Sequence, residues 1–274
     1  MGKVFEYIKI LRPGNCLIAS IAVFIGFAVG NSGFGFSFPL LLAMVSAFVI
    51  CGAGQAINDY FDKEIDKKIR PEKAIPSKKI KARNVFLYSA VLFLAGIIIS
   101  FFINQDAFTI ALAFSVLLFV YSSLMQKIKF VGNLVVASGT GFTLIFGASV
   151  AGDYSLILPL VLSAFLVNVG REITKDMEDI EADKGIKKTL PMLLSTTLVK
   201  TIIMLCYAGG IMIALLAWFY GIIPGLLYLA LVAVSGMGFS YSFYLLNKEK
   251  TTESHKFSKY AMIIALVAFA SSVI

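Results

Sequence analysis

The chain has 274 residues, of which 59% are hydrophobic and 15% are charged, and its mean hydropathy is +0.88. A soluble domain is roughly 45–50% apolar and about 25% charged, so these values exclude both a soluble globular fold and a disordered chain. The net charge of +8, from 24 Lys and Arg against 16 Asp and Glu, must be interpreted from where the charges lie along the chain.

Apolar runs of about 20 residues, the length a helix needs to cross a bilayer, recur along the whole sequence. They predict an all-α, polytopic membrane protein with about nine transmembrane helices around a central cavity, and with a cytoplasmic polar cap. The predicted spans are residues 14–31, 38–58, 84–104, 107–125, 131–151, 154–174, 194–219, 222–246 and 257–273. We treat residues 1–274 as a single transmembrane domain whose cap consists of the polar loops at about 59–83 and 175–193.

Threading nine spans back and forth across a membrane places all 24 Lys and Arg on one side. The positive-inside rule makes that side the cytoplasm. The N-terminus and both long polar loops are then cytoplasmic, and the C-terminus is outside. Of the acidic residues, only Asp106 and Asp153 fall on the outer side. The sequence therefore predicts a multi-pass protein of the cell membrane, and no nucleic-acid partner is needed to explain its charge.

Three cysteines, Cys16, Cys51 and Cys206, lie far apart within apolar runs, without a CxxC spacing or a histidine neighbour. We expect them to be small apolar core residues rather than a disulfide or a zinc site. The only histidine, His255, lies in the polar string TTESHKFSK and is expected to face solvent.

Two acidic clusters follow the second and the sixth predicted spans. The first contains Asn58, Asp59, Asp62 and Asp66, and the second contains Glu172, Asp176, Asp179 and Asp183. At about 100° per residue, each cluster falls on one face of a helix, within an arc of roughly 100° for the first and roughly 60° for the second. Each cluster therefore predicts a stripe of carboxylates at the cytoplasmic end of a helix.

Carboxylates at three- and four-residue spacing repel one another, and a bound cation relieves that repulsion. Oxygen ligands in such number favour a hard ion, Mg²⁺ or alternatively Mn²⁺, which bridges carboxylates to substrate phosphates. Two facing carboxylate helices would hold a diphosphate, whereas the alternative is two solvated helix ends paired with nearby lysines. The candidate metal ligands and catalytic residues are Asp59, Asp62, Asp66, Asp176, Asp179 and Asp183, with Asn58 as a further catalytic candidate.

Basic residues are interleaved with both acidic clusters. Cations beside a metal stabilise the charge that develops on a leaving phosphate, so four of these residues are expected to bind a substrate phosphate: Arg70, Lys73, Arg171 and Lys175. Lys127, after the fourth span, is a fifth candidate of this kind. Asn15 and Tyr121 lie at the ends of spans on the same side and are candidates for the substrate pocket.

At these residues the chain resembles the UbiA-type intramembrane prenyltransferases. The NDxxDxxxD motif of that superfamily is matched by Asn58, Asp59, Asp62 and Asp66, and its DxxxD-type motif by Asp179 and Asp183, with Asp176 upstream. Nine helices fit as well, so the resemblance spans essentially the full length. One departure is visible, because several members carry YxxxK after the fourth helix, whereas here Tyr121 is followed by Met125 and the basic residue comes at Lys127.

Within the superfamily, residues 69–77 and 171–179 are similar to strings of the archaeal digeranylgeranylglyceryl phosphate synthases. This resemblance implies Mg²⁺-dependent transfer of a geranylgeranyl group from geranylgeranyl diphosphate to the hydroxyl of geranylgeranylglyceryl phosphate. The product carries the second ether bond of archaeal membrane lipids. The implied partners are an isoprenoid diphosphate donor, a lipid-phosphate acceptor and membrane lipid, with no obligate protein partner.

Other functions stay open at this point. The same fold could prenylate an aromatic quinone precursor or the vinyl group of haem. A membrane cation transporter also uses acidic residues, but near the bilayer midplane on broken helices, whereas these clusters lie at helix ends beside long loops. The CDP-alcohol phosphotransferases are disfavoured, because their DxxDG signature requires glycine where Lys63 follows Asp62.

Overall fold

The computed structural model describes residues 2–125, 129–185 and 188–273. Within these residues the chain is built from helices and contains no β-strand. In chain order the helices are α1 (Gly2–Ile10), α2 (Pro13–Gly30), α3 (Phe38–Phe61), α4 (Lys63–Ile69), α5 (Ala82–Phe101), α6 (Gln105–Val120), α7 (Lys129–Ala151), α8 (Ile157–Glu178), α9 (Ile180–Asp183), α10 (Leu190–Leu193), α11 (Thr196–Phe219), α12 (Leu226–Asn247) and α13 (Thr251–Ser271). A five-residue π-helix, Tyr121–Met125, continues α6.

Every predicted span corresponds to a helix, which confirms the all-α membrane fold. Eight helices in the described residues are long and apolar enough to cross a bilayer, namely α2, α3, α5, α6 with the π-helix as far as Leu124, α7, α8, α11 and α12. The ninth predicted span lies in α13, which begins earlier than expected, at Thr251, and carries the polar string TTESHK in its first turns. The count of nine spans therefore stays a prediction.

Side-chain caps fix where several apolar runs become helical. The hydroxyl of Ser37 accepts a hydrogen bond from the Leu40 amide at 3.3 Å, and Asn104 accepts one from the Ala107 amide at 2.7 Å. Such caps satisfy amide groups that the first turn of a helix leaves without a partner. Many large apolar side chains on the outer faces of the helices are exposed, including Phe101 and Met237, as expected of surfaces that contact lipid.

The helices form two compact units. The first comprises residues 1–24 and 36–126, in which α3 packs against α5, α6 and α1. Close approach of α3 and α5 depends on Gly96, where an added Cβ would lie 3.3 Å from the Ser46 carbonyl oxygen and still closer to Ile50. The Ser46 hydroxyl donates to the Gly96 carbonyl at 2.8 Å.

The second unit comprises residues 25–35 and 127–274. Within it α8 packs against α7, α11 and α13, and α12 packs against α13 and α11. Gly170 on α8 leaves room for the ring of Tyr207 on α11, since a Cβ at position 170 would lie 2.7 Å from that ring. The Tyr207 hydroxyl is then 3.1 Å from the Thr174 hydroxyl, which ties α11 to the end of α8 that carries the second acidic cluster.

Candidate active site

The first acidic motif lies where α3 ends and α4 begins. Asn58 and Asp59 are in the last turn of α3, Asp62 occupies the break between the helices, and Asp66 is in α4. The three aspartates are 7–8% exposed, whereas Glu64 in the same segment is exposed. The amide of Asn58 donates to Asp62 Oδ2 at 2.9 Å. The motif therefore presents three carboxylates on one buried side of the α3–α4 segment.

Two cations lie against these carboxylates. The Lys73 ammonium is 3.1 Å from Asp59 Oδ1 and 2.7 Å from Asp66 Oδ2, and so bridges the two aspartates. The Arg12 guanidinium is 3.0 Å from the same Asp59 oxygen. Arg12 occupies the turn between α1 and α2 with a left-handed backbone, φ 51°, which is uncommon for a residue with a side chain and requires support from its surroundings. Sequence reasoning missed Arg12, for which the only signal was its place before Pro13.

The loop after α4 is folded back so that Lys73 reaches the motif. Its backbone is closed by a hydrogen bond from the Ile80 amide to the Ala74 carbonyl at 3.2 Å. Ile80 is buried in a small apolar cluster with Ile10, and Ala74 and Ile75 pack against that cluster. Burial of Ile80 beside Ile10 holds the loop in place, since full burial of an isoleucine side chain contributes about 1.5–3 kcal/mol.

The second acidic motif lies at the end of α8, which continues to Glu178 rather than ending near residue 174 as predicted. Glu172 and Asp176 are 7% and 1% exposed, and Asp179 is half-buried at the break between α8 and α9. Asp183 ends α9. Asn133 on α7 donates its amide to Asp176 Oδ2 at 2.6 Å. Sequence reasoning missed Asn133, although a lone asparagine within an apolar span was a usable signal.

Arg171, also on α8, is surrounded by polar partners. Its guanidinium donates from Nε to Asn168 Oδ1 at 3.3 Å and from Nη2 to Glu172 Oε1 at 2.8 Å, and Nη1 lies 3.0 Å from His255 Nε2. His255 Nδ1 in turn lies 2.8 Å from Glu178 Oε2. The expectation that His255 faces solvent from a loop was wrong. The polar string containing it is the first part of α13, and packing of α13 against α8 turns the imidazole towards Arg171.

The remaining candidate residues differ in how far their side chains are exposed. Arg70 and Asn15 are exposed, and Lys175 and Tyr121 are half-buried. Tyr121 begins the π-helix, a distortion that is frequent at functional sites. Lys127 lies outside the described residues. The roles expected for the site residues stay predictions.

The donor chemistry suits a hard divalent cation. The described residues contain no ready-made group of three or more acidic, histidine or cysteine side chains at metal-binding separation. However, the Lys73 ammonium already sits between Asp59 and Asp66, so that pair of carboxylates accommodates a positive charge. Carboxylate and amide oxygens are also the ligand types that Mg²⁺ prefers. The residues present therefore fit a metal that binds between carboxylates and phosphate.

Comparison with known proteins agrees with this chemistry. Residues 19–269 match the UbiA prenyltransferase family. The digeranylgeranylglyceryl phosphate synthase of Methanosphaera stadtmanae is 37% identical over 270 residues, covering 97% of both chains. A solved structure of a digeranylgeranylglyceryl phosphate synthase in membranes is 32% identical and superposes with a TM-score of 0.86, covering 100% of this chain and 99% of the other.

A UbiA homologue from Archaeoglobus fulgidus bound to DMAPP and Mg²⁺ shares the fold, with a TM-score of 0.73 and 17% identity over 96% of this chain and 99% of that one. The predicted resemblance is thereby confirmed, as are the enzyme class and the integral membrane location that eight apolar helices indicate. A match over nearly the whole sequence, together with two acidic motifs at helix ends, leads to one conclusion. The chain belongs to the UbiA prenyltransferase family.

Proposed function

We propose that the protein transfers a geranylgeranyl group from geranylgeranyl diphosphate to the hydroxyl of geranylgeranylglyceryl phosphate, forming the second ether bond of archaeal membrane lipids. The observation that carries the proposal is 37% identity over 97% of both chains to a relative that bears this activity in its name. The reaction breaks the C1–O bond of the donor and forms a bond from C1 to the acceptor oxygen. Diphosphate and the hydroxyl proton are released.

The carboxylates of each motif are proposed to bind Mg²⁺ ions. In the first motif these are Asp59, Asp62 and Asp66, and in the second they are Asp176, Asp179 and Asp183, with Asn58 orienting Asp62 through its amide. The metal is Mg²⁺, as in the Archaeoglobus fulgidus homologue, with Mn²⁺ as an alternative. When bound, it neutralises charge on the diphosphate and makes it a better leaving group.

The chain's own cations and helices supply the remaining parts of the reaction. Arg70, Lys73, Lys127, Arg171 and Lys175 are proposed to bind phosphate oxygens of the donor or the acceptor, and Asn15 and Tyr121 to line the substrate pocket. A phosphorylated acceptor is itself anionic, so the excess of Lys and Arg contributes to substrate binding as well as to orientation in the membrane. The apolar helices exclude water from the allylic cation that forms as the C1–O bond breaks.

The orientation in the membrane is proposed from charge. The four short connections at residues 31–37, 102–104, 152–156 and 220–225 contain no Lys or Arg. The positive-inside rule then places them outside, with the N-terminus and the two acidic motifs in the cytoplasm. With α13 as a ninth span, the C-terminus is outside. Labelling of single cysteines introduced at Ser155 and Ser77, from either side of the membrane and in a protein whose Cys16, Cys51 and Cys206 have been replaced by alanine, tests this orientation.

An acceptor panel tests the proposed reaction. Purified protein in detergent is given radiolabelled geranylgeranyl diphosphate, Mg²⁺ and one acceptor at a time, chosen from geranylgeranylglyceryl phosphate, an aromatic quinone precursor and haem. The proposal requires that the glycerol phosphate ether be prenylated at least about tenfold faster than either alternative, a difference of about 1.4 kcal/mol in activation free energy. Preferential labelling of the aromatic acceptor or of haem would replace the proposed acceptor.

Replacing Lys73 tests whether its ammonium and a metal ion compete for the same carboxylates of the first motif. In Lys73→Met the buried pair of Asp59 and Asp66 loses a counter-ion, so we expect a melting temperature a few degrees below that of the wild type after EDTA treatment. Added Mg²⁺ should stabilise this variant more than the wild type, because it no longer competes with the ammonium for the carboxylates, and a ligand that binds only the folded state stabilises it by RT ln(1 + [L]/Kd). Lys79→Met, which removes an exposed ammonium 3.2 Å from Glu6, is the matched control. Equal Mg²⁺ stabilisation in wild type and Lys73→Met would contradict the expectation.

A further inference from the structure

His255 is joined by two polar contacts to the end of α8 that carries the second acidic motif. It lies in the first turns of α13, and its side chain is 22% exposed. The imidazole stands between the guanidinium of Arg171 and the carboxylate of Glu178, at 3.0 and 2.8 Å. Arg171 and Glu178 are seven residues apart on α8, so the imidazole bridges two side chains separated by two turns of that helix.

The partners of the imidazole fix which nitrogen carries the proton. A guanidinium has only donors, so His255 Nε2 must accept the hydrogen bond from Arg171. The other nitrogen, Nδ1, then carries the hydrogen and donates a hydrogen bond to the Glu178 carboxylate. In this arrangement the Glu178 carboxylate lies on the other side of the ring from Arg171 and holds the orientation of the imidazole, as a second hydrogen-bond partner commonly does for a histidine whose other nitrogen binds a further group.

The contacts of Arg171 make its guanidinium a fixed group rather than a freely rotating one. Three of its N–H groups donate in three directions, to Asn168, Glu172 and His255. Its side chain is 20% exposed, so the partners lie in a partly desolvated setting where charge-assisted hydrogen bonds are strong. An arginine that is held before its ligand arrives loses less side-chain entropy on binding a phosphate.

We infer that His255, oriented by Glu178, is a positioning residue that holds the Arg171 guanidinium for binding a phosphate group of the substrate. The inference rests on the proposed function, because Arg171 is there assigned to phosphate binding. The group recognised is a phosphate oxyanion, which could belong to the donor diphosphate or to the acceptor monophosphate. His255 itself contacts no substrate in this account and acts through Arg171.

The test uses four variants of the full-length protein. His255→Leu removes both polar contacts, and His255→Gln keeps one acceptor and one donor at the end of the side chain. Arg171→Ala removes the group being positioned, and the fourth variant combines His255→Leu with Arg171→Ala. Glu253→Gln, on the same turn of α13 but with a side chain 53% exposed beside Lys250, is the matched control. KM is measured separately for donor and acceptor, with the inhibition constant of inorganic pyrophosphate as a direct probe of oxyanion binding.

Loss of orientation at a phosphate-binding group is expected to lower kcat/KM roughly 10- to 100-fold. In His255→Leu this loss should appear mainly as a higher KM for one substrate, and the affected substrate identifies whose phosphate Arg171 binds. In His255→Gln the logarithm of the fold-change in KM should be at most half of its value in His255→Leu. The double variant should be no worse than Arg171→Ala alone, because a residue that acts only through Arg171 has nothing left to position.

Several outcomes would overturn the inference. These are wild-type KM values in His255→Leu, additive losses in the double variant, or an unchanged pyrophosphate inhibition constant together with a lower melting temperature. If His255→Leu is not recovered as folded protein, Glu178→Gln takes its place, because that side chain is 25% exposed and the variant removes only the charge that orients the ring. Absence of prenyl transfer in the wild type would instead count against the proposed function, so the two failures are distinguishable.

Discussion

Asp62→Asn is expected to lower the rate of geranylgeranyl transfer by about 100- to 1,000-fold, the range seen when one electrostatic partner of a reacting group is removed. Asp62 is 7% exposed and lies where α3 gives way to α4. Loss of its charge removes a proposed metal ligand, while the shape of the side chain is unchanged. The amide can still present an oxygen to Asn58, which donates to Asp62 Oδ2 at 2.9 Å. The variant should therefore insert and fold.

A neighbouring acid provides the control for Asp62. Glu64→Gln also removes one negative charge from the same segment, but Glu64 is exposed, and we expect its transfer rate to stay within about twofold of wild type, as for other surface substitutions. Initial rates with labelled donor, measured alongside melting temperatures in detergent, separate loss of function from loss of fold. Similar losses in Glu64→Gln and Asp62→Asn would mean that net charge at the helix end matters rather than a specific ligand.

In the second motif, Asp176→Asn is expected to lower the transfer rate by a similar factor, about 100- to 1,000-fold. Asp176 is 1% exposed, and Asn133 donates to it at 2.6 Å. An asparagine at position 176 can still accept that hydrogen bond through its own oxygen, so the expected loss comes from the missing negative charge and the weakened hold on the metal. The measurement is the transfer rate as a function of Mg²⁺ concentration.

Glu181→Gln is the corresponding control, because Glu181 is an exposed acid in α9. The metal account requires the Mg²⁺ concentration for half-maximal rate to rise in Asp176→Asn and to stay at the wild-type value in Glu181→Gln. A normal Mg²⁺ dependence with full activity in Asp176→Asn would remove this residue from the metal site and would favour a structural role for its contact with Asn133.

Helices were the most predictable part of this protein, because bilayer-length apolar runs carry a strong signal. The boundaries that failed were those where polar residues continue a helix. Residues 175–178 extend α8 and residues 251–256 begin α13. In both places helical hydrogen bonding and packing against a neighbouring helix outweigh the polarity that suggested a loop.

Within the candidate site, the acidic clusters were predictable and their partners were not. A periodic stripe of aspartates is visible in a single segment of sequence, whereas Arg12, Asn133 and His255 meet their partners across 47, 43 and 84 residues. Contacts at that separation depend on which helices pack together, and the sequence pattern of each helix alone does not contain that information. His255 illustrates the limit, since its neighbours in sequence are polar, whereas the side chains that its ring contacts, Arg171 and Glu178, lie on α8.

The mass of the product shows whether the protein transfers a geranylgeranyl group to the hydroxyl of a phosphorylated lipid. Purified protein is incubated with geranylgeranyl diphosphate, geranylgeranylglyceryl phosphate and Mg²⁺, and the lipid product is examined by mass spectrometry. We expect an acceptor whose hydroxyl hydrogen has been replaced by one geranylgeranyl group, with its phosphate retained, and we expect no such product with EDTA. A recovered acceptor of unchanged mass, in a preparation that prenylates an aromatic ring or haem, would contradict this expectation.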